Sequence, residues 1–444
     1  MRRILRSPLF LAAFTVFVDF AGFGLVIPIL PFWAVRLGAT PFGVGLIITV
    51  FALAQFLFMP ILGSLSDRYG RRPVIITSLL LEALSFAITA VAPNLPLLLL
   101  ARVIGGLGAS NIGSAQAIVA DVTTPSRRAR GMGAIGAAIG LGFVVGPAAG
   151  GLLASFGTAV PFWCAMGVAL ANMLMVSRFL PETRRHAPKG VGQRIQGIAG
   201  VARGWRYIPQ NTSVARLVAI NALFTVAFSG METVFALFTQ HVYHWTPKQA
   251  EISNGYFFTY VGVLVVIMQG GLAGRLVERT GAQRLLRAGL LILATGLLLL
   301  PLGTALAMLL IALGLVSIGE GAISPVVSTM LSLACPEDAQ GKTLGLAQGA
   351  SGLGRVVGPL LAGAAFGVHA GLPFLVGAGL VLAAFVIAVP MIEQVQRTPS
   401  LSGIPERIDP STSGTSLSRH PHTYSRIHLS QERRRDGRDP AHVG

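Results

Sequence analysis

Long apolar runs, separated by short polar or Gly- and Pro-rich segments, recur along the chain as far as about residue 392. A bilayer core about 30 Å thick is crossed by a helix of about 20 mainly apolar residues. The pattern therefore predicts an all-α integral membrane protein with twelve transmembrane helices, called spans 1 to 12. Their approximate limits are residues 9–34, 42–65, 74–92, 96–120, 132–155, 160–180, 214–238, 252–273, 285–302, 305–333, 343–366 and 371–392.

The longest connection between spans, residues 181–213, is polar and basic and divides the twelve spans into two sets of six. We expect a six-helix bundle over residues 1–180 and a second over residues 214–392. Residues 393–444 are rich in Ser, Thr, Pro, Arg and His without helical periodicity, which predicts a disordered tail.

Two sequence segments recur at nearly one offset. GSLSDRYGRR from Gly63 returns as GRLVERTGAQR from Gly274, 211 residues later, and GFVVGPAAGG from Gly142 returns as GRVVGPLLAG from Gly354, 212 residues later. Such a repeat is typical of transporters built from two pseudo-symmetric bundles with the substrate site at their interface.

Composition excludes a set of soluble domains, because only 11% of residues are charged and 53% are hydrophobic, against about 25% charged in soluble proteins. The net charge of +17 does not indicate a nucleic-acid partner, since the basic residues lie in short runs between apolar stretches. The lipid bilayer is the expected environment.

Assigning alternate loops to opposite sides places thirty of the 34 basic residues on one side, here called the basic face. Arg36 and Lys248 lie on the other side, the opposite face, and Arg102 and Arg355 lie inside spans. The positive-inside rule predicts that the basic face is cytoplasmic. We therefore expect a multi-pass protein of the plasma or inner membrane, with both termini, the central loop and the tail in the cytoplasm.

The loop after span 2 carries Gly and charged residues at close spacing. Gly63 permits close helix approach, Gly70 permits a tight turn, Asp67 can bind the N-terminus of a neighbouring helix, and Arg71 can reach a carboxylate such as Asp121. We interpret this loop as a latch on the basic face, with this residue set: Gly63, Asp67, Arg68, Gly70, Arg71 and Asp121.

Span 5 carries glycines four residues apart with a proline between them, which predicts a close-contact stripe and a bend. Span 11 repeats part of this pattern. The residues concerned are Gly142, Gly146, Pro147, Gly150 and Gly151 in span 5, and Gly354, Gly358 and Pro359 in span 11.

These residues resemble the major facilitator superfamily, and within it the drug:proton antiporter branch with its bacterial multidrug and tetracycline exporters. The loop from Gly63 to Pro73 matches the loop signature of that superfamily, and span 5 resembles its antiporter motif. Span 1, with Asp19, and span 4, with Arg102, are also similar to that branch. The resemblance covers residues 1 to about 392 and implies that the loop closes against span 11 and that spans 1, 4, 7 and 10 line a central cavity.

Charged side chains inside spans need a reason, because each costs about 2.5–3.5 kcal/mol at mid-bilayer. The candidates for proton coupling are Asp19, Arg102, Glu232 and Glu320. We expect Asp19 to take up and release the proton, its charge disfavoured by burial and favoured when Arg102 is near. A fixed Asp19–Arg102 bridge is the alternative, and Glu232 or Glu320 can serve instead. Glu82 is interpreted as an interhelical hydrogen-bond partner.

Uncharged polar and aromatic side chains, with one arginine, complete a possible cavity lining suited to lipophilic cations. They are Gln55, Asn111, Gln116, Asn221, Tyr256, Tyr260, Gln269, Gln348 and Arg355.

The sequence contains no nucleotide-binding loop, metal-ligand spacing or nucleophile elbow. We therefore expect no cofactor, no metal and no enzyme, but a monomeric secondary transporter of a small molecule and protons, driven by the proton gradient. Antiport by alternating access is favoured. A proton symporter for metabolite uptake on the same fold, and a membrane receptor or scaffold that transports nothing, are the alternatives.

Overall fold

The computed structural model describes residues 7–183, 212–334 and 340–390, and all secondary structure in these ranges is helical. Most of the predicted central loop and the predicted tail lie outside the described residues. Eleven helical stretches are long and apolar enough to cross a membrane, and Leu372–Ala388 is a shorter apolar helix. The prediction of twelve apolar helical segments is confirmed.

The twelve spans occupy the predicted places in the chain. In order they are Pro8–Val26 with Leu30–Arg36, Pro41–Tyr69, Arg71–Val91, Leu95–Gly108 with Ile112–Val122, Pro125–Ala154, Val160–Phe179, Thr212–Tyr243, Pro247–Ile267 with Ala273–Thr280, Ala282–Leu299, Leu306–Leu333, Gln340–Val368 and Leu372–Ala388.

Local chemistry sets several helix limits. Span 2 begins after Thr40, whose hydroxyl accepts from the backbone N–H of Gly43, and span 8 begins with a capping box between Thr246 and Gln249. Spans 2 and 8 end at Gly70 and Gly281, whose φ values of 108° and 85° favour glycine. These two glycines are 211 residues apart, so the repeat seen in the sequence is also a repeat of turn geometry.

Three spans are interrupted, which hydropathy does not show. Span 1 breaks around Pro28, and span 4 passes through a 3₁₀ turn at Ala109–Asn111. Span 8 contains a π-helical turn at Met268–Leu272, where Gly271 has a φ of 145°. The breaks in spans 4 and 8 lie within the transmembrane helices, where π-turns and 3₁₀ turns often mark functional sites.

The helix packing of the N-terminal half is repeated in the C-terminal half. Span 1 packs on span 5 and span 3 on span 6, just as span 7 packs on span 11 and span 9 on span 12. Between the halves, span 2 packs on span 11 and span 5 on span 8. These two pairs place spans 1, 4, 7 and 10 around the junction of the halves.

Candidate functional site

The two halves close against each other towards the opposite face. A Cβ added to Gly363 would lie 3.1 Å from Cα of Phe42, and one added to Gly151 would lie 2.9 Å from Cα of Gly255. Ala236 and Leu237 of span 7 belong to a buried apolar cluster with residues of span 1 such as Phe32. Among the described residues, these contacts bring the two halves directly together at this end of the junction.

An ion pair between described residues joins the two halves in this closed region. Nη2 of Arg36, at the end of span 1, lies 3.1 Å from Oε1 of Glu251 in span 8, and Nη1 of Arg36 donates to the hydroxyl of Thr158. The Glu251 side chain is 1% exposed and that of Arg36 is 41% exposed. Lys248 also faces Glu251. The charge and burial of this contact make it a candidate gate. The sequence does not predict the contact, because no motif surrounds Glu251.

Asp19 lies inside the N-terminal half at 5% exposure. Its carboxylate faces the carboxylate of Glu82 in span 3 and the amide of Asn111 at the 3₁₀ turn of span 4. Neither neighbour completes a well-directed hydrogen bond to the two Asp19 oxygens. Glu82, predicted to be an interhelical partner, is thus a second acid beside the predicted proton site.

Arg102 does not form the bridge to Asp19 that the sequence left open, since no ion pair within the described ranges joins them. Nη2 of Arg102 instead donates to the hydroxyl of Thr89 at 2.7 Å, and the guanidinium lies 5.9 Å from the ring centre of Phe51. Arg102 is 4% exposed and lies about one to two turns beyond Glu82, towards the opposite face.

The C-terminal half holds its own charged cluster. Glu232 of span 7 and Glu320 of span 10 interact electrostatically with each other and with Arg355 of span 11. Both carboxylates are half-buried and Arg355 is exposed. The structure therefore brings three of the predicted residues together, with two acids for one base.

The loop between spans 2 and 3 is organised around Arg71. Its guanidinium reaches Asp67 at 2.6 Å, Asp121 at 3.3 Å and the hydroxyl of Ser66 at 2.7 Å. Glu182, after span 6, accepts from the backbone N–H groups of Arg71 at 2.9 Å and of Arg72. Glu182 is thus an N-terminal anion for span 3, a role that the sequence reading did not assign.

Gly63 faces open space in this conformation, because a Cβ at this position would meet no atom of the described residues within 4 Å. Arg68 lies over the ring of its neighbour Tyr69. The predicted closure of this loop against span 11 stays a prediction.

The glycine stripe of span 5 lies against span 1. Added Cβ atoms would lie 2.7 Å from Cβ of Phe20 at Gly142, 2.9 Å from N of Leu25 at Gly146 and 3.1 Å from C of Leu25 at Gly150. The repeat in span 11 packs on span 7 in the same way, through Gly354 and Gly358. Pro147 and Pro359 lie inside their helices.

Gly146→Ala should destabilise the protein, because the new Cβ would collide with backbone atoms of span 1, including the carbonyl oxygen of Ala21. Overpacking of this kind costs about 1–3 kcal/mol. Gly136→Ala in the same helix is the matched control, since its Cβ would meet no described atom within 4 Å. Thermal unfolding in detergent should show a lower Tm for Gly146→Ala alone, and equal Tm values would contradict the stripe as a packing contact.

The remaining predicted lining residues divide into two groups. Gln55 donates to the carbonyl of Ala109, Asn221 donates to Ser351, and Tyr260 lies against Gly314 of span 10. These three make contacts in helix packing, although Tyr260 is also 36% exposed. The others are exposed: Gln116, Tyr256, Gln269 and Gln348.

Comparison with known proteins agrees with this architecture. A model of the Major Facilitator Superfamily matches residues 12–307 and 270–422. Multidrug resistance protein 2 of Bacillus subtilis (strain 168) is 30% identical over 81% of this chain and 89% of its own length. The class C tetracycline resistance protein of Escherichia coli is 30% identical over 83% of this chain and 93% of its own.

Among solved structures, the human organic anion transporter MFSD10 (TETRAN) is similar, with a TM-score of 0.66 and 26% identity over 86% of this chain and 99% of that one. The fold, the internal repeat and these relatives agree with the resemblance carried by the loop after span 2 and by span 5. The chain is a multi-pass membrane transporter that belongs to the Major Facilitator Superfamily.

Proposed function

We propose that the protein exports small amphipathic compounds in exchange for protons, by alternating access. The observation that carries this proposal is the placement of Asp19 and Glu82, two acids enclosed in one bundle while the halves are closed towards the opposite face. A carboxyl enclosed in this way changes its charge only by gaining or losing a proton, so it can link protonation to the exchange of conformations.

The basic face is cytoplasmic in this proposal, and the protein lies in the plasma or inner membrane with both termini inside. The conformation described here is then the one that faces the cytoplasm. The proton gradient supplies the driving force without a cofactor, and the protein works as a monomer.

Substrate class follows from the C-terminal cluster and from the relatives. Glu232 and Glu320 share one arginine, Arg355, so a lipophilic cation would complete the charge balance of this cluster. Phe20, Phe23, Phe51 and Phe143 form a chain of ring contacts at the junction of spans 1, 2 and 5, and aromatic faces attract organic cations. Relatives named for multidrug, tetracycline and quinolone resistance support such substrates.

The test uses inside-out vesicles with an acidic interior and no ATP, to which ethidium and a panel of uncharged and anionic amphipaths are added. Antiport predicts that transported compounds enter the vesicles and dissipate the pH gradient, most strongly for the cations. Symport would instead carry a preloaded compound outward together with protons. A gradient unaffected by every compound, or a strict requirement for ATP, would overturn the proposal.

The loop after span 2 acts in this proposal as the latch of the cytoplasm-closed conformation. Gly63→Leu should therefore fold normally but lose exchange by about tenfold or more, because a leucine blocks the approach of span 11, while in the present conformation a Cβ at this position meets no described atom within 4 Å. Gly379→Leu, at an exposed position of span 12 that also has room for a Cβ, is the control. Equal ethidium exchange rates in the two variants, measured at equal Tm, would remove Gly63 from the latch.

A further inference from the structure

Buried polar side chains with an unsatisfied atom are concentrated inside the N-terminal half. Eight of them are at most 5% exposed and have at least one buried oxygen or nitrogen atom that makes no well-directed hydrogen bond to a described residue. Two are Arg102 and Asn172 of span 6, and the other six come from spans 1, 3 and 4: Thr15, Asp19, Ser78, Glu82, Asn111 and Ser114.

Contacts between the helices bring these side chains to one place. A Cβ added to Gly22, three residues after Asp19 on the same face of span 1, would lie 3.0 Å from the ring of Phe86 in span 3. Phe86 in turn follows Glu82 by four residues. One added to Gly108 of span 4 would lie 2.8 Å from both the carbonyl oxygen of Ser78 and the backbone nitrogen of Glu82. The polar faces of the three helices therefore meet.

The six side chains form two levels. Spans 1 and 3 begin on the basic face and span 4 ends there, so on each helix the hydroxyl lies about one turn closer to that face than the acid or amide. The pairs on spans 1, 3 and 4 are Thr15 with Asp19, Ser78 with Glu82, and Ser114 with Asn111.

The other end of this region is closed by a positive charge. Arg102 lies beyond Glu82 towards the opposite face, where it donates to Thr89 and contacts Ser85. A buried arginine is a barrier to the passage of protons. Towards the basic face the polar region is bounded by buried apolar side chains of the same three spans, Leu11, Ile75 and Ile118, so the charge barrier lies on the other side only.

Unsatisfied buried polar groups usually bind ordered water, which makes about three hydrogen bonds to such groups. Hydroxyls and water both donate and accept, so together they conduct protons.

We propose that the six side chains enclose a water-filled proton chamber in the N-terminal bundle, through which the proton held by Asp19 and Glu82 leaves towards the basic face without entering the substrate cavity. This inference rests on the proposed antiport. The O–H bond of the protonated carboxyl breaks, its proton passes to chamber water and the hydroxyls relay it, leaving one carboxylate behind and transferring no electrons.

The experiment removes the three hydroxyls at nearly constant volume, in the variant Thr15→Val/Ser78→Ala/Ser114→Ala. Proton release driven by ethidium in inside-out vesicles should slow by about tenfold, the rate equivalent of a lost hydrogen bond in the relay. Equilibrium binding of ethidium should be unchanged, because the cavity is not altered. A purely structural role would instead lower the Tm or the affinity for ethidium.

Thr77→Val is the matched control, since this neighbour of Ser78 is exposed and its hydroxyl donates to the carbonyl of Pro73 at 3.0 Å. Wild-type proton release from the triple variant would overturn the chamber, and so would a coupled flux that follows sodium rather than protons. Absence of proton release from the wild-type protein would instead overturn the proposed function itself. The single variant Ser78→Ala, with a smaller expected slowing in the same direction, is the test if the triple variant fails to fold.

Discussion

Asp19→Asn is expected to abolish proton-driven exchange while ethidium still binds. Asn is close to Asp in size and polarity, so the packing of span 1 against spans 3 and 4 is retained, but Asn carries no exchangeable carboxyl proton. Loss of a positioned proton carrier costs about 100-fold or more in rate. The measurement is ethidium-driven dissipation of the pH gradient in inside-out vesicles, with ethidium binding measured in parallel.

The control for charge removal is Glu432→Gln, which removes one acid outside the residues matched by the family model. Exchange of ethidium for ethidium without a pH gradient should survive in Asp19→Asn, because that reaction needs conformational change but no net proton movement. Proton release by Asp19→Asn at the wild-type rate would remove Asp19 from the mechanism and transfer the role to Glu232 or Glu320.

The sequence predicts the fold well because the bilayer imposes it. The length of each apolar run determines where a helix can cross the bilayer. The offset of 211 residues between recurring segments reveals the internal repeat, and the turns at Gly70 and Gly281 are separated by the same offset. Hydropathy does not predict the breaks at Pro28, Ala109–Asn111 and Gly271, since each depends on backbone geometry while the surrounding residues remain apolar.

The candidate site is harder to predict, because sequence places a residue on a helix but does not give the rotation of that helix. Asp19 and Arg102 are both inside spans, yet Arg102 points to Thr89 and Asp19 points to Glu82. Sequence alone does not pair Glu82 of span 3 with Asp19, and Glu82 is interpreted there as an interhelical hydrogen-bond partner. Asn221 shows the same limit. The sequence predicts that it lines the cavity, whereas in the structure its amide donates to the hydroxyl of Ser351 in span 11.

The charge pattern of the sequence identifies the basic partner of the ion pair on the opposite face but not its acidic partner. Arg36 and Lys248 were identified as the two basic residues of the opposite face, whereas Glu251 has no motif to distinguish it. Only packing shows that Glu251 is 1% exposed and lies 3.1 Å from Arg36 across the two halves. A conformation open to the opposite face requires that this pair separate.

Arg36→Gln should therefore open the opposite face more often. Charge-assisted hydrogen bonds contribute about 1.5–3 kcal/mol, and about 1.4 kcal/mol is a tenfold change in population, so the open population should rise by about tenfold or more. The reporter is Ala236→Cys in a protein with Cys164 and Cys335 replaced by serine. Ala236 is 1% exposed in the closed cluster between the halves. Its labelling rate with a membrane-impermeant thiol reagent, applied from the opposite face, measures opening.

Lys248→Gln is the matched control, because it removes the same charge from the same region but makes no ion pair with Glu251 among those found between described residues. Arg36→Lys should give an intermediate rate, since lysine keeps the charge but cannot hold Glu251 and Thr158 with two separate nitrogens. Equal labelling of Ala236→Cys in the Arg36→Gln and Lys248→Gln backgrounds would show that the pair does not hold the halves together. Faster labelling in Arg36→Gln alone would show that the energy closing this face resides in the hydrogen-bonded geometry of Arg36, because the two variants remove the same charge.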